Sequence, residues 1–258
     1  MSLEVNEPPS EVRPAEVISP AADPAAPPKW NRILLATSLA MLAFDFVLIF
    51  KFAMFERIVY AAFFYHVGSA WVSYACFGVS VAGHAAYLKT GRERSFSWAK
   101  NSVTVGLAFS GVTLLTGSIW FNATSGNYQG VYWNWDPRQT ATLVMWVSYA
   151  GYLVFGTLVE DAQQRAKIQA VVGLGLFPTV PLSYLSVAWF SSLHPLIRDQ
   201  PGQTGFIYWD PVKLFTLFFT LVAVTLLYVH VVRSLVHADS VESLALSALL
   251  AREWEVVA

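Results

Sequence analysis

The chain has 258 residues, of which 55% are hydrophobic and only 13% charged, about half the charge content of an ordinary soluble domain. Sixteen Lys and Arg against seventeen Asp and Glu leave a formal charge of −1, which excludes a broadly basic nucleic-acid-binding surface. The single cysteine, Cys76, excludes an internal disulfide framework and a Cys-rich metal or iron–sulfur site, while ten Trp, eleven Tyr and eighteen Phe are an excess that needs a reason.

Residues 1–28 hold seven of the thirteen prolines and five acidic residues against Arg13 alone. Such a segment buries too little apolar surface to order itself and has no signal-peptide pattern, so a disordered cytoplasmic tail is expected. From there the sequence breaks into six apolar stretches, near 33–50, 66–88, 102–121, 139–159, 168–190 and 212–232. Each approaches the ~20 residues that cross the hydrocarbon core of a bilayer. The second stretch has the least certain start and extends back toward Ile58. An all-α bundle of six transmembrane helices over 29–237 follows, with a Trp-rich outer loop.

Nine cations, Lys29, Arg32, Lys89, Arg92, Arg94, Lys100, Arg165, Lys167 and Arg233, fall on one side of these stretches and five on the other. The positive-inside rule then places both termini in the cytoplasm and the segments 51–65, 122–138 and 191–211 outside. Residues 238–258 read as a separate tail or interfacial helix, capped by Asp239 and Glu242. No Walker motif, His-Glu-x-x-His or Gly-x-Ser-x-Gly occurs, so ATP hydrolysis, zinc proteolysis and acyl transfer have no machinery here.

The informative segment runs from Gln129 to Thr140. Interfacial anchoring accounts for one or two aromatics, whereas Tyr128, Tyr132, Trp133 and Trp135 lie within eight residues and are followed at once by Asp136 and Arg138. Such a cluster offers flat π surfaces to a planar ligand, and an Arg able to pair with a carboxylate. Haem b (iron protoporphyrin IX) has that shape and two propionates, and its iron is commonly held by imidazole. His66, at the outer start of the second stretch, and His194, in the third outer segment, are the two candidates. His84 and His230 lie near the inner ends of their stretches, and about 27 Å of helix separates His66 from His84, too far to share one iron. Trp189 brings a further ring to the His194 side. Asp45, alone in the first stretch, and Trp209-Asp210-Pro211, an echo of Trp135-Asp136-Pro137, are weaker candidates.

These residues resemble the CcmC family of haem-handling membrane proteins in system I cytochrome c maturation. The family pattern, about Trp-Gly-x-x-Trp-x-Trp-Asp-x-Arg-x-Thr, is matched by Gly130, Trp133, Trp135, Asp136, Arg138 and Thr140, and the likeness extends over all six stretches. The chain departs from it at Gln129, where the leading Trp is usual, and at Gly68, Phe190 and Pro195 beside the two histidines. The resemblance implies an inner-membrane protein that catalyses no reaction of its own. It implies His66 and His194 as axial ligands, with Gly130, Tyr132, Trp133, Trp135, Asp136, Arg138 and Trp189 around the porphyrin. It further implies transfer of haem to the periplasmic chaperone CcmE, with CcmA, CcmB and CcmD as complex partners and membrane lipid as surroundings. Two alternatives stay open: a b-type cytochrome pairing His66 with His194 and His84 with His230, and a CcsA-like component of system II.

Overall fold

The computed structural model describes residues 28–53, 59–124, 130–194 and 211–257. The chain order is α1 (Lys29–Val47), continued by a π-helical turn Leu48–Ala53, then α2 (Val59–Thr90), α3 (Glu93–Thr124), α4 (Pro137–Thr157), α5 (Ala162–Leu176), α6 (Thr179–Trp189) and α7 (Pro211–Val257). All the regular structure among the described residues is helical, as the composition implies. The second helix does start at Val59, close to Ile58. The expected tail at 1–27, Tyr128 and the Trp209-Asp210 pair lie outside the described residues.

Two expectations about the elements are corrected. The apolar stretch 168–190 is not one helix: α5 ends at Leu176 and α6 begins at Thr179. Pro178 supplies no N–H and its ring collides with the carbonyl four residues back, so the chain bends there, with the Phe177 N–H turning to Leu174 O at 3.3 Å. At the other end no break separates a tail helix, because α7 runs 47 residues through position 238. Asp239 is then no helix cap. Its carboxylate accepts hydrogen bonds from Ser97 Oγ and from Asn101 Nδ2 at 2.7 Å, and its Oδ2 lies 3.5 Å from Lys100 Nζ, so it ties α7 to the start of α3.

Four segments among the described residues are long and apolar enough to cross a membrane: Lys29–Lys51, Glu93–Ala123, Ala162–Trp189 and Pro211–Leu249. Within the first of these, α1 (Lys29–Val47) packs in an inverted sense. Its buried residues are Asn31, Ser38 and Asp45, seven apart and therefore on one face, while Ile33, Leu39, Phe44 and Phe46 are exposed. In lipid this is the economical arrangement, since tails solvate apolar side chains and polar groups must find partners inside the bundle. Asn31 Nδ2 donates to Ser234 Oγ at 2.9 Å and Thr220 Oγ1 donates to Asp45 Oδ1 at 2.8 Å, both across to α7.

Elsewhere the apolar side chains of the core gather in two main layers. Val72 and Cys76 of α2, Val105 of α3 and Val224, Tyr228 and Val232 of α7 form one. Phe77, Val103, Met145, Tyr149, Tyr152 and Val180 join α2 and α3 to α4 and α6 in the other. Phe77 and Tyr149 stack there at a centroid distance of 3.9 Å. The α2–α3 pair is the spine of the bundle; at its closest approach, a Cβ on Gly106 would lie 2.8 Å from that of Cys76.

The Asp45–Thr220 contact yields a stability test. Thr220→Val keeps the shape but strips a fully buried carboxyl of its one hydrogen-bond donor, and is expected to cost about 1–3 kcal/mol. In a detergent melting experiment it lowers Tm, while Asp45→Leu combined with Thr220→Val recovers most of the loss because no buried group is then left unpaired.

Candidate functional site

The site grows from the start of α4. Pro137 occupies the first helical position, and Asp136 caps the helix by accepting the Arg138 N–H at 2.9 Å. The same carboxylate, itself buried, reaches a second segment of chain: Oδ1 accepts from Ser192 Oγ at 2.8 Å and Oδ2 from the Leu193 N–H at 2.6 Å. Ser192 Oγ in turn accepts the His194 N–H at 3.1 Å. One carboxylate thus fixes the α4 terminus and the backbone leading into His194.

His194 is held facing His66. The ring centroids lie 6.2 Å apart with the planes inclined at 42°. His66, on α2, rests against α3, with its Nδ1 3.0 Å from Thr113 O and 3.3 Å from Thr116 Oγ1. A carbonyl oxygen only accepts, so Nδ1 carries the hydrogen and Nε2 keeps its lone pair, the arrangement in which a ligating imidazole is oriented by its other nitrogen. Ser69 Oγ lies 2.9 Å from Thr113 Oγ1 and braces the same turn. Gly117 completes this cradle, since a Cβ there would come within 2.8 Å of His66 Cε1.

The donor pair fits a metal held between imidazoles. Two nitrogens each bound at about 2.0 Å, with each ring centre about 1 Å further out, put the centroids about 6 Å apart. A planar, largely apolar group around that metal would meet the Trp-rich segment. Gly130 has φ +90° and Trp135 φ +59°, the latter a left-handed conformation that a residue bearing a Cβ adopts only under constraint. The constraint is visible, as Asn134 Oδ1 accepts the Asp136 N–H at 3.1 Å across Trp135. The turn swings Trp135 outward, 69% exposed, with Trp133 against it edge to face at 5.8 Å. Tyr132, Trp189 and Phe190 are also exposed, and the indole Nε1 of Trp133 is buried without a hydrogen-bond partner among the described residues. At the end of α3, the side-chain amide of Asn122 lies 2.8 Å from Gly130 N and 3.1 Å from Val131 N, and its carbonyl accepts both once the amide is turned to suit them.

Arg138, expected to pair with a carboxylate, also makes contacts within the protein. Its Nη1 donates to the carbonyls of Ser183 and Tyr184, each at 2.8 Å, and its guanidinium lies 5.4 Å from the Tyr184 ring centre. Those carbonyls belong to α6, the helix created by the break at Pro178, so Arg138 locks the second half of the broken segment against α4. Thr113, Gly117, Ser192 and Asn134 are the residues that motif reading passes over. None is unusual in sequence, and only the packing of α3 and the return of the 192–194 segment gives them roles.

The remaining helix histidines have other neighbours. His84 is fully buried with Nε2 3.1 Å from Tyr152 Oη, while His230 sets Nδ1 3.1 Å from Asn31 O. One faces α4 and the other α1.

Fold and site together define a multi-pass helical membrane protein that carries a paired-imidazole site beside a Trp-Asp turn. A family model described as heme exporter protein C, CcmC, matches residues 22–247, and the chain belongs to that family. Heme exporter protein C of Bradyrhizobium diazoefficiens is 30% identical over 166 residues, 63% of this chain and 62% of its own length. The Rhodobacter capsulatus protein of the same name is 29% identical over 133 residues, 50% of this chain and 53% of its own. A shorter likeness, 31% identity over 80 residues, joins the chain to the cytochrome c biogenesis protein CcsA of Ranunculus macranthus, covering 31% of this chain and 23% of that protein. The chain thus spans less than two thirds of the length of the curated relatives it matches.

Loss of the Asp136 carboxylate should release both segments it holds. In Asp136→Ala, the Leu193 and His194 amides are expected to exchange hydrogen about tenfold faster or more, corresponding to the 1–2 kcal/mol typical of a lost cap. Mass-spectrometric hydrogen exchange resolves this, and Asp136→Asn, which keeps an acceptor oxygen, is expected to show a smaller change.

Proposed function

We propose that the chain binds haem b as cargo at the outer face of the bacterial inner membrane and presents it for cytochrome c maturation, without catalysing a bond change itself. The observation that carries the reading is the imidazole pair, two rings 6.2 Å apart with the Nε2 of His66 left as a lone-pair donor. His66 and His194 are the proposed axial ligands of the iron. The rings of Tyr132, Trp133, Trp135 and Trp189 provide apolar faces and edges, and Gly130 lets the loop turn beneath them. Asp136 and Arg138 act by position, the first on His194 and the second on α6.

The name carried by the family and its relatives supports haem as the cargo, and an exposed aromatic rim supports hand-over at the surface. The recipient we propose is the periplasmic haem chaperone CcmE, with CcmA, CcmB and CcmD as partners in the complex. Six membrane crossings, with α2 and α4 added to the four strongly apolar segments, and cytoplasmic termini agree with the distribution of cations. The Pro-rich residues 1–28 are then a cytoplasmic tail, and residues 238–258 extend from the membrane domain 29–237 on the same side.

The test is haem per chain in the purified protein, read from its absorption spectrum. One haem is expected in the wild type, and His66→Ala and His194→Ala should each retain less than half of it. Full retention in both variants overturns the ligand assignment. Gly117→Ala provides an independent check, because its Cβ would displace the His66 ring; it is expected to lower occupancy. Gly78→Ala, where a Cβ meets no heavy atom within 4 Å, should leave it unchanged.

A further inference from the structure

Toward the far end of the α2–α3 pair from His66, roughly 20–26 Å away along α2, the two helices border an open cavity of about 330 Å³. Its wall is of two kinds. Val79 and Ala82 of α2 form an exposed apolar strip, and the mouth carries Arg92, Arg94 and Ser95 with the Trp98 ring beside them. Both arginines are exposed, and neither guanidinium has an ion-pair partner among the described residues. Glu93, between them in sequence, is exposed and does not line the cavity. None of these residues belongs to the imidazole site.

An arginine fork binds phosphate oxygens in a bidentate manner, and a hydroxyl and an indole N–H nearby add donors. The volume is at the low end for a small-molecule site, enough for a polar headgroup and not for a whole lipid. Val79 and Ala82 are exposed on α2 and line the same cavity as the arginines, an apolar surface on which an acyl chain attached to that headgroup can lie. A soluble phosphate has no use for such a strip. We infer that this cavity is a binding site for the phosphate of an anionic phospholipid, whose acyl chain lies on the Val79–Ala82 face of α2. Basic pockets at helix ends recognise anionic headgroups through this combination of fixed cations and adjacent apolar surface.

The full-length protein in mild detergent, examined by native mass spectrometry, tests this with phosphatidylglycerol, phosphatidylcholine and inorganic phosphate as probes. The wild type is expected to hold one phosphatidylglycerol in preference to phosphatidylcholine. Arg92→Gln/Arg94→Gln should weaken that retention about tenfold or more. Val79→Trp, which fills the strip and keeps both cations, should weaken it as well. Arg165→Gln/Lys167→Gln, equal in charge lost but on α5, should leave it unchanged. Equal retention by the wild type and the Arg92/Arg94 variant overturns the site, as does an equal loss in the α5 variant. Displacement of the lipid by inorganic phosphate at millimolar concentration overturns the lipid assignment in favour of a soluble phosphate ligand. Each variant is first matched to the wild type in elution volume and circular dichroism, and Arg92→Lys/Arg94→Lys, which keeps the charge, should restore part of the retention if the double Gln variant folds poorly.

Discussion

The end of the bundle that carries both His66 and His194 hangs on the carboxylate of Asp136. Three donors converge on it, from the α4 terminus, from Ser192 and from Leu193. A helix N-terminus is electropositive and short of acceptors, so a buried carboxylate there is stabilised by the helix and has acceptor capacity left to hold a second segment of chain through Ser192 Oγ and the Leu193 N–H. That is how an irregular segment carrying His194 is brought to a fixed place beside a helix. The opposing His66 needs no such device, because it sits on α2 and is braced by α3. The site therefore joins one histidine on a rigid element to one on a tethered segment, and the tether is shared with the Trp-Asp turn.

The bundle beneath obeys the rules of packing in lipid. The buried face of α1 is a polar stripe, Asn31, Ser38 and Asp45; Asn31 and Asp45 find partners on α7 while Ser38 bonds back to Leu35 O, and the outward face is apolar. Hydrogen bonds across that seam hold the helices where the hydrophobic effect offers little discrimination between lipid and neighbouring helix. The extension of α7 continues the pattern beyond the apolar zone, where Asp239 gathers Ser97, Asn101 and Lys100.

Much of this is written in the sequence, and the exceptions have physical causes. Apolar stretches of about membrane length locate the helices, and the nearness of His66 and His194 follows from their positions at the same ends of different stretches. The break at Pro178 was also readable, since Pro inside an apolar run removes a backbone donor, yet composition alone treats 168–190 as continuous. Arg138 beside a tryptophan cluster suggests an anion, whereas its bonds to the α6 carbonyls could not be read from sequence, because they depend on the fold placing α6 against α4. Gly117 and Thr113 could not be singled out, because the register of α3 against His66 is a tertiary fact. Asp239 followed by Glu242 looks like a helix start only until α7 is seen to run through them. The seven-residue spacing of Asn31, Ser38 and Asp45 was a signal present in the sequence from which the α1–α7 seam is derivable.

The central claim is that His66 and His194 act as one bis-imidazole site, and electron paramagnetic resonance of the ferric-haem-loaded full chain tests it most directly. The expected spectrum is a single low-spin species from two imidazoles, at one per chain, converted to a high-spin form when either histidine is replaced by alanine. A wild-type spectrum dominated by high-spin iron, or a low-spin signal that survives both replacements, contradicts it.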